Sequence, residues 1–129
     1  SLRRPVIQGR GSNPLRLKSA IWVSAYIRRL SAEGVPVAVV RRGAEEAGAI
    51  FIKVSRLDGT ADVYGPAPQT AFDEDRPPER LWTRATGAEP VAEDKAEEFL
   101  ARQHRFDPDL WVVEVEARDG LHLLDVVVD

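Results

Sequence analysis

The residues richest in chemistry lie between Lys53 and Pro68, in the stretch KVSRLDGTADVYGPAP. Lys53, Arg56, Asp58 and Tyr64 surround an Asp58-Gly59 turn, and Arg41 and Arg42 precede them on a strand expected to pair alongside. Guanidinium, ammonium and phenol groups gathered in this way would offer bidentate donors to an anionic ligand. Arg41, Lys53, Arg56, Asp58 and Tyr64 are therefore the candidate ligand-binding set. The simpler account is Arg–Asp pairing across an exposed sheet face, which needs no ligand and is favoured.

A second group is acidic. Asp107, Asp109, Glu114 and Glu116 fall at the start and along one face of a predicted strand, and Asp62 can approach from a neighbour. Carboxylates near Lys53 would suit a hard cation such as Mg²⁺ and phosphodiester hydrolysis. A turn role for Asp107 before Pro108 and a solvated strand face for the glutamates explain the same residues. On that account Glu114 and Glu116 are exposed, and no site gathers three carboxylates with Lys53.

Other chemistries find little support. His104 and His122 lack metal-ligand spacing, no serine sits in a G-x-S-x-G elbow, and no phosphate-cradling glycine loop is present. With no cysteine, thiol nucleophiles, disulfides, cysteine-ligated zinc and iron–sulfur clusters fall away. The sequence assigns no catalytic residue, metal or cofactor. Trp22, Trp82 and Trp111 read as core or interface anchors.

These residues need a frame. Ser19 to Glu33 is predicted helical, with Ser19 as N-cap, an apolar stripe of Ile21, Trp22, Ala25, Tyr26 and Leu30, and Gly34 with Pro36 as the stop. Strands are predicted over 37–42 and 49–55, joined as a hairpin by GAEEAG, then over 60–64 after the Asp58-Gly59 turn. GPAPQTAFDEDRPPE is a long loop, and Leu81 to Ala85 a short strand carrying Trp82. A second helix is predicted from Pro90 to the Asp107-Pro108 stop. Leu110 to Ala117 alternates, and Asp119-Gly120 turns the chain into a strand over 121–128. The expected fold is α+β: a mainly antiparallel sheet of about five strands with two helices packed on one face. Ile50, Ile52, Val54, Val63, Trp111, Val113 and Val115 should share the covered face, under Trp22, Tyr26, Phe99 and Leu100.

The whole fits one domain of 129 residues, 43% apolar and 30% charged. The net charge of −3 conceals an asymmetry: residues 1–42 carry nine basic groups and the single acid Glu33, whereas the remainder is strongly acidic. Residues 1–14 read as a basic extended arm, followed by a single α+β domain over 15–129. Arg3, Arg4 and Arg10 are expected to meet carboxylates such as Asp73, Glu74 and Asp75, of this chain or a second copy, while Val6 and Ile7 fill a groove or extend a sheet edge. A homodimer, or an unidentified protein partner, is preferred to nucleic acid as the partner, since a pI near 5.5 is low for a nucleic-acid binder. No apolar run approaches the length of a membrane span.

Three stretches, LKSAIWVSAYIRRL, AVVRRGAEEAGAIFIKVSRLDGTADVYGPAPQ and DPDLWVVEVEARDG, make the sequence over about 15–125 resemble a small alphaproteobacterial family known as domain of unknown function 1491. That resemblance implies a bacterial, cytoplasmic one-domain protein and transfers no chemistry. The leading reading is a non-enzymatic binding or protein-interaction module. The alternatives are a small metal-dependent hydrolase using the carboxylates around 107–116, and a nucleic-acid accessory protein using the basic arm.

Overall fold

The computed structural model describes residues 17–68 and 80–128; the predicted arm and the acids Asp73, Glu74 and Asp75 lie outside them. Among the described residues the elements run α1 (Ser19–Ala32), β1 (Val37–Arg41), β2 (Ile50–Ser55), β3 (Thr60–Pro66), β4 (Trp82–Arg84), β5 (Val91–Ala92), α2 (Glu93–Phe106), β6 (Trp111–Glu116) and β7 (Val127–Val128).

The seven strands form one mixed sheet in the order β1-β6-β2-β3-β4-β7, with β5 also paired to β3. β6 runs parallel to β2, and β7 parallel to β4, while the other pairs are antiparallel. The predicted α+β class holds; the predicted mainly antiparallel sheet of about five strands does not. The predicted hairpin over 37–55 is absent because β6 lies between β1 and β2. A hairpin of two residues joins adjacent strands, whereas residues 42–49 are long enough to step over a whole strand. They do so with Ala44 N–H donating to Asp109 O at 2.9 Å and Trp111 Nε1 to Ala44 O at 2.8 Å. Asp119-Gly120 likewise makes no hairpin; the chain from 117 to 126 crosses the sheet before the two-residue β7 forms.

The helices pack on opposite faces, correcting the expectation of one covered face. Val23, Tyr26 and Leu30 of α1 cover Ile50, Ile52, Val54, Tyr64, Trp82, Trp111, Val113 and Val115. Ala96 and Leu100 of α2 cover Phe51, Ala61, Val63, Leu110 and Val112. Val63 therefore faces α2 and not α1, and Phe99 packs there too, its ring edge-on to Phe51. With both faces covered, all six residues of β2 are buried, as expected of a central strand.

α1 begins at Ser19 itself, with Lys18 in the capping position; the buried Ser19 hydroxyl instead donates to Gly48 O at 2.6 Å. Its end follows the prediction. Gly34, at φ 77°, donates to Ser31 O, and Val35 N–H reaches back to Leu30 O, closing the last carbonyls as a glycine-terminated helix should. α2 starts at Glu93, three residues past the predicted Pro90, because Val91 and Ala92 are taken up in pairing with β3.

Candidate functional site

Two ionic clusters form on opposite faces of the sheet. On the α1 face, Asp62 is 2% exposed and lies in register with Val54. Its carboxylate accepts from Arg56 Nε at 2.9 Å and from Arg84 Nη2 at 2.5 Å. Arg84 Nη1 also donates to Tyr64 Oη at 2.8 Å, and its guanidinium lies over the Tyr64 ring. The Tyr64 and His122 rings meet at 4.7 Å, and Tyr26 Oη donates to His122 O at 2.7 Å. His122 Nδ1 accepts the Leu124 N–H at 2.9 Å, so the neutral ring carries its proton on Nε2. Burial, with help from Arg84, holds the His122 pKa below the ordinary imidazole value. Burial likewise pushes the Tyr26 and Tyr64 phenols up. This cluster fastens the 117–126 crossing to the sheet.

On the α2 face, the Lys53 side chain is 5% exposed and its ammonium meets Glu93 at 2.7 Å, Glu97, and Glu114 at 3.7 Å. Ser55 Oγ donates to Glu93. Burial alone would lower the Lys53 pKa, but the carboxylates of Glu93 and Glu97, then Glu114, outweigh it and raise the value. Burial works against the Glu93 carboxylate, yet Lys53 and Ser55 hold its pKa below the usual range. Two expectations are corrected here. Three carboxylates do gather around Lys53, and Glu114 is half-buried; Glu116 is exposed as predicted. The acids Glu93 and Glu97 come from α2, one turn apart, a contribution that a reading of the strand alone misses. Among the described residues no group of three His, Cys, Asp or Glu side chains is placed to hold a metal ion. Asp107 instead accepts the Asp109 N–H in a local turn.

The five candidate ligand-binding residues are dispersed. Lys53 faces α2; Arg56 and Tyr64 belong to the Asp62 cluster on the other face. Asp58 accepts from the Thr60 N–H and hydroxyl inside its own turn, which lowers its pKa. Arg41 sits at the sheet edge, on a strand paired to β6 and not to β2.

β1 ends the sheet on that side. Among the described residues β1 pairs only on its β6 side, and Ala38, Val39, Val40 and Arg41 are exposed, Val40 to 59%. Glu116 N–H donates to Pro36 O, and the register then alternates Val37↔Val115, Ala38↔Glu114 and Val39↔Val113. In an antiparallel ladder hydrogen-bonded and open pairs alternate. Pro36 and Ala38 thus bond inward to β6, and the backbone groups of Val37 and Val39 point out from the sheet.

Residues 17–125 match the family described as "Protein of unknown function (DUF1491)". The chain belongs to that family. A DUF1491 crystal structure from Caulobacter crescentus is 36% identical and covers 88% of this chain and 98% of its own, with a TM-score of 0.71. A solution structure of an Agrobacterium tumefaciens protein is 45% identical, covering 89% and 97%, with a TM-score of 0.73. No curated protein matches. The predicted resemblance is thus confirmed, and both organisms are alphaproteobacteria. In this DUF1491 chain no helix among the described residues is long and apolar enough to cross a membrane.

Asp62, expected to join the 107–116 acids near Lys53, lies instead on the opposite face with Arg56 and Arg84, and the signals for the site residues of this DUF1491 chain differ in kind. Asp62 lies within the apolar run TADVYG, and an acid in phase with Tyr64 on a buried face requires a cationic partner. Arg84 and His122 carry no local mark, since their roles depend on contacts with Tyr64 20 and more residues away.

Proposed function

We propose that this DUF1491 protein is a non-enzymatic protein-interaction module and that its docking surface is the open edge of β1. The observation that carries the reading is an apolar edge strand, exposed over Ala38–Arg41, whose Val37 and Val39 backbone groups face outward without a ladder partner among the described residues. Such edges are templates for an added strand, and most sheets blunt or cover them. The buried ionisable groups support the same reading, because Asp62 and Lys53 are each engaged by oppositely charged side chains within the fold. A cytoplasmic setting, suggested by the cysteine-free sequence, belongs to this proposal.

Amide hydrogen exchange tests it. Val37 and Val39 should exchange fast in dilute protein and slow markedly when a partner is engaged, while Ala38 is protected in both states. If Val37 and Val39 exchange freely at every concentration and in concentrated bacterial lysate, the edge is not the docking surface.

A further inference from the structure

We infer that His122 is an acid-operated latch: its neutral ring holds the 122–124 turn closed, and a proton on Nδ1 frees residues 121–128 from α1 and β4. The latch is independent of the docking edge, which lies at the other end of the sheet. It follows from donors and acceptors. Leu124 N–H donates to His122 Nδ1 at 2.9 Å, so the side chain closes a turn on the backbone two residues ahead. Neutral imidazole has one acceptor nitrogen, whereas imidazolium has none and donates from both. A proton on Nδ1 sets N–H against N–H, and a flip of the ring presents Nε2–H to the same amide. Leu124 is buried, and leaving its amide unpaired there costs the fold about what a lost hydrogen bond costs.

The turn also stores backbone strain. Leu123 has a φ of 55°, in the left-handed region that a leucine rarely adopts, and a residue stays there only while its surroundings fix it. The Nδ1 bond does so together with Tyr26 Oη, which donates to His122 O at 2.7 Å, and Arg29 Nη2, which donates to Leu123 O at 3.1 Å. The Arg29 contact is exposed, as is its 3.8 Å pair with Asp125, so it holds little. Tyr64 and Asp62 of β3 and Arg84 of β4 face the ring from the sheet; Arg84 opposes a positive charge on it and Asp62 favours one. Arg56 reaches the same crossing at Gly120. His122 is half-buried, which leaves the ring within reach of solvent protons. Beyond the turn the backbone holds on by Val126 O, which accepts from Trp82 N–H at 3.0 Å, and by the two-residue β7. A strand so short is a weak anchor. Opening therefore bares the outer edge of β4 at Trp82 while β2, β3 and β6 stay paired. It stops at Ala117, whose N–H donates to Ser55 O at 2.9 Å.

Amide exchange at a series of pH values, expressed as protection against the intrinsic rate, tests the latch. Between pH 7 and 5, protection at Leu124 and Trp82 should fall about tenfold more than at Ala117. His122→Asn keeps an acceptor for Leu124 and takes up no proton, so both amides should stay protected at pH 5. His122→Phe keeps a ring against Tyr64 without an acceptor. It should show at pH 7 the low protection that the native chain shows at pH 5. The asparagine variant carries the test if the phenylalanine variant fails to fold. A fall at Leu124 and Trp82 no larger than at Ala117 overturns the latch, because the protein then loosens as a whole. An equal fall in the asparagine variant, or native protection at pH 7 in the phenylalanine variant, overturns it too.

Discussion

Asp62 and Arg84, 22 residues apart in sequence, are joined by a 2.5 Å hydrogen bond because antiparallel pairing sets Tyr64 opposite Arg84 two residues further along β3. The same carboxylate holds Arg56, whose guanidinium presses against Gly120, where an added Cβ would come within 2.5 Å of Nη2. One buried acid thus locates both a short strand and the crossing that follows β6. A buried ion pair contributes little net stability over an apolar replacement, but removing one member leaves the other uncompensated. Asp62→Asn should therefore lower the unfolding free energy by about 3 kcal/mol, read by urea denaturation. The amide shifts that move should be those of 117–124 as well as those of β3.

Lys53 gives a prediction whose size depends on pH. Lys53→Met leaves Glu93, Glu97 and Glu114 facing one another, and the loss at pH 7 should be about 2–3 kcal/mol after allowance for the exposed parts of the glutamates. Lowering the pH protonates those carboxylates and should shrink the deficit of the variant. In the native chain the signs run the other way. The depressed Glu93 pKa contributes stability above the ordinary carboxylate range that fades as pH falls through its folded value. The raised Lys53 pKa contributes stability present below the ordinary lysine value and lost as pH rises through its folded one.

His122 should supply part of the acid limb. Its pKa is depressed, so the unfolded chain takes up the proton first, and its contribution is present above about pH 6.5 and lost below it. His122→Asn sets an amide oxygen in the place of Nδ1 to accept the Leu124 N–H, and removes the titration. Denaturation between pH 7 and 5 should show a shallower fall for the variant, by less than the limit of about 1.4 kcal/mol per pH unit for one proton. Equal slopes would show that His122 titrates alike in both states.

Gly65 sits on β3 against the Phe51 ring, and a Cβ there would lie 2.6 Å from Cε2. Gly65→Ala should cost about 1–3 kcal/mol through overpacking, measured as a shift in the urea midpoint. Phe51→Leu, which withdraws the ring, should make the second substitution cheaper in a double-mutant cycle.

Several elements were legible locally because their signals are local. The stripe from Trp22 to Leu30 with Gly34 marks α1, Asp58-Gly59 marks the β2–β3 turn, and alternation from Trp111 to Glu116 marks β6. The Lys53–Pro68 stretch holds the central residue of each ionic cluster, Lys53 and Asp62, and the family was readable from three motifs. What the sequence left open is which strand pairs with which. Alternation reports that one side of a strand is buried, but it does not say whether the other side is covered too, so Val63 was grouped with the residues that α1 covers.

Sequence by itself determined the helices, most of the strands, the family, and the absence of cysteine chemistry, since each rests on neighbouring residues and their periodicity. Tertiary structure alone decided the insertion of β6 between β1 and β2. That placement depends on the free energy of a long-range pairing, Trp111 to Glu116 beside Ile50 to Ser55, and no short-range signal encodes it. From that insertion follow the exposed β1 edge, the separation of Arg41 from Lys53, and the meeting of Glu114 with Lys53.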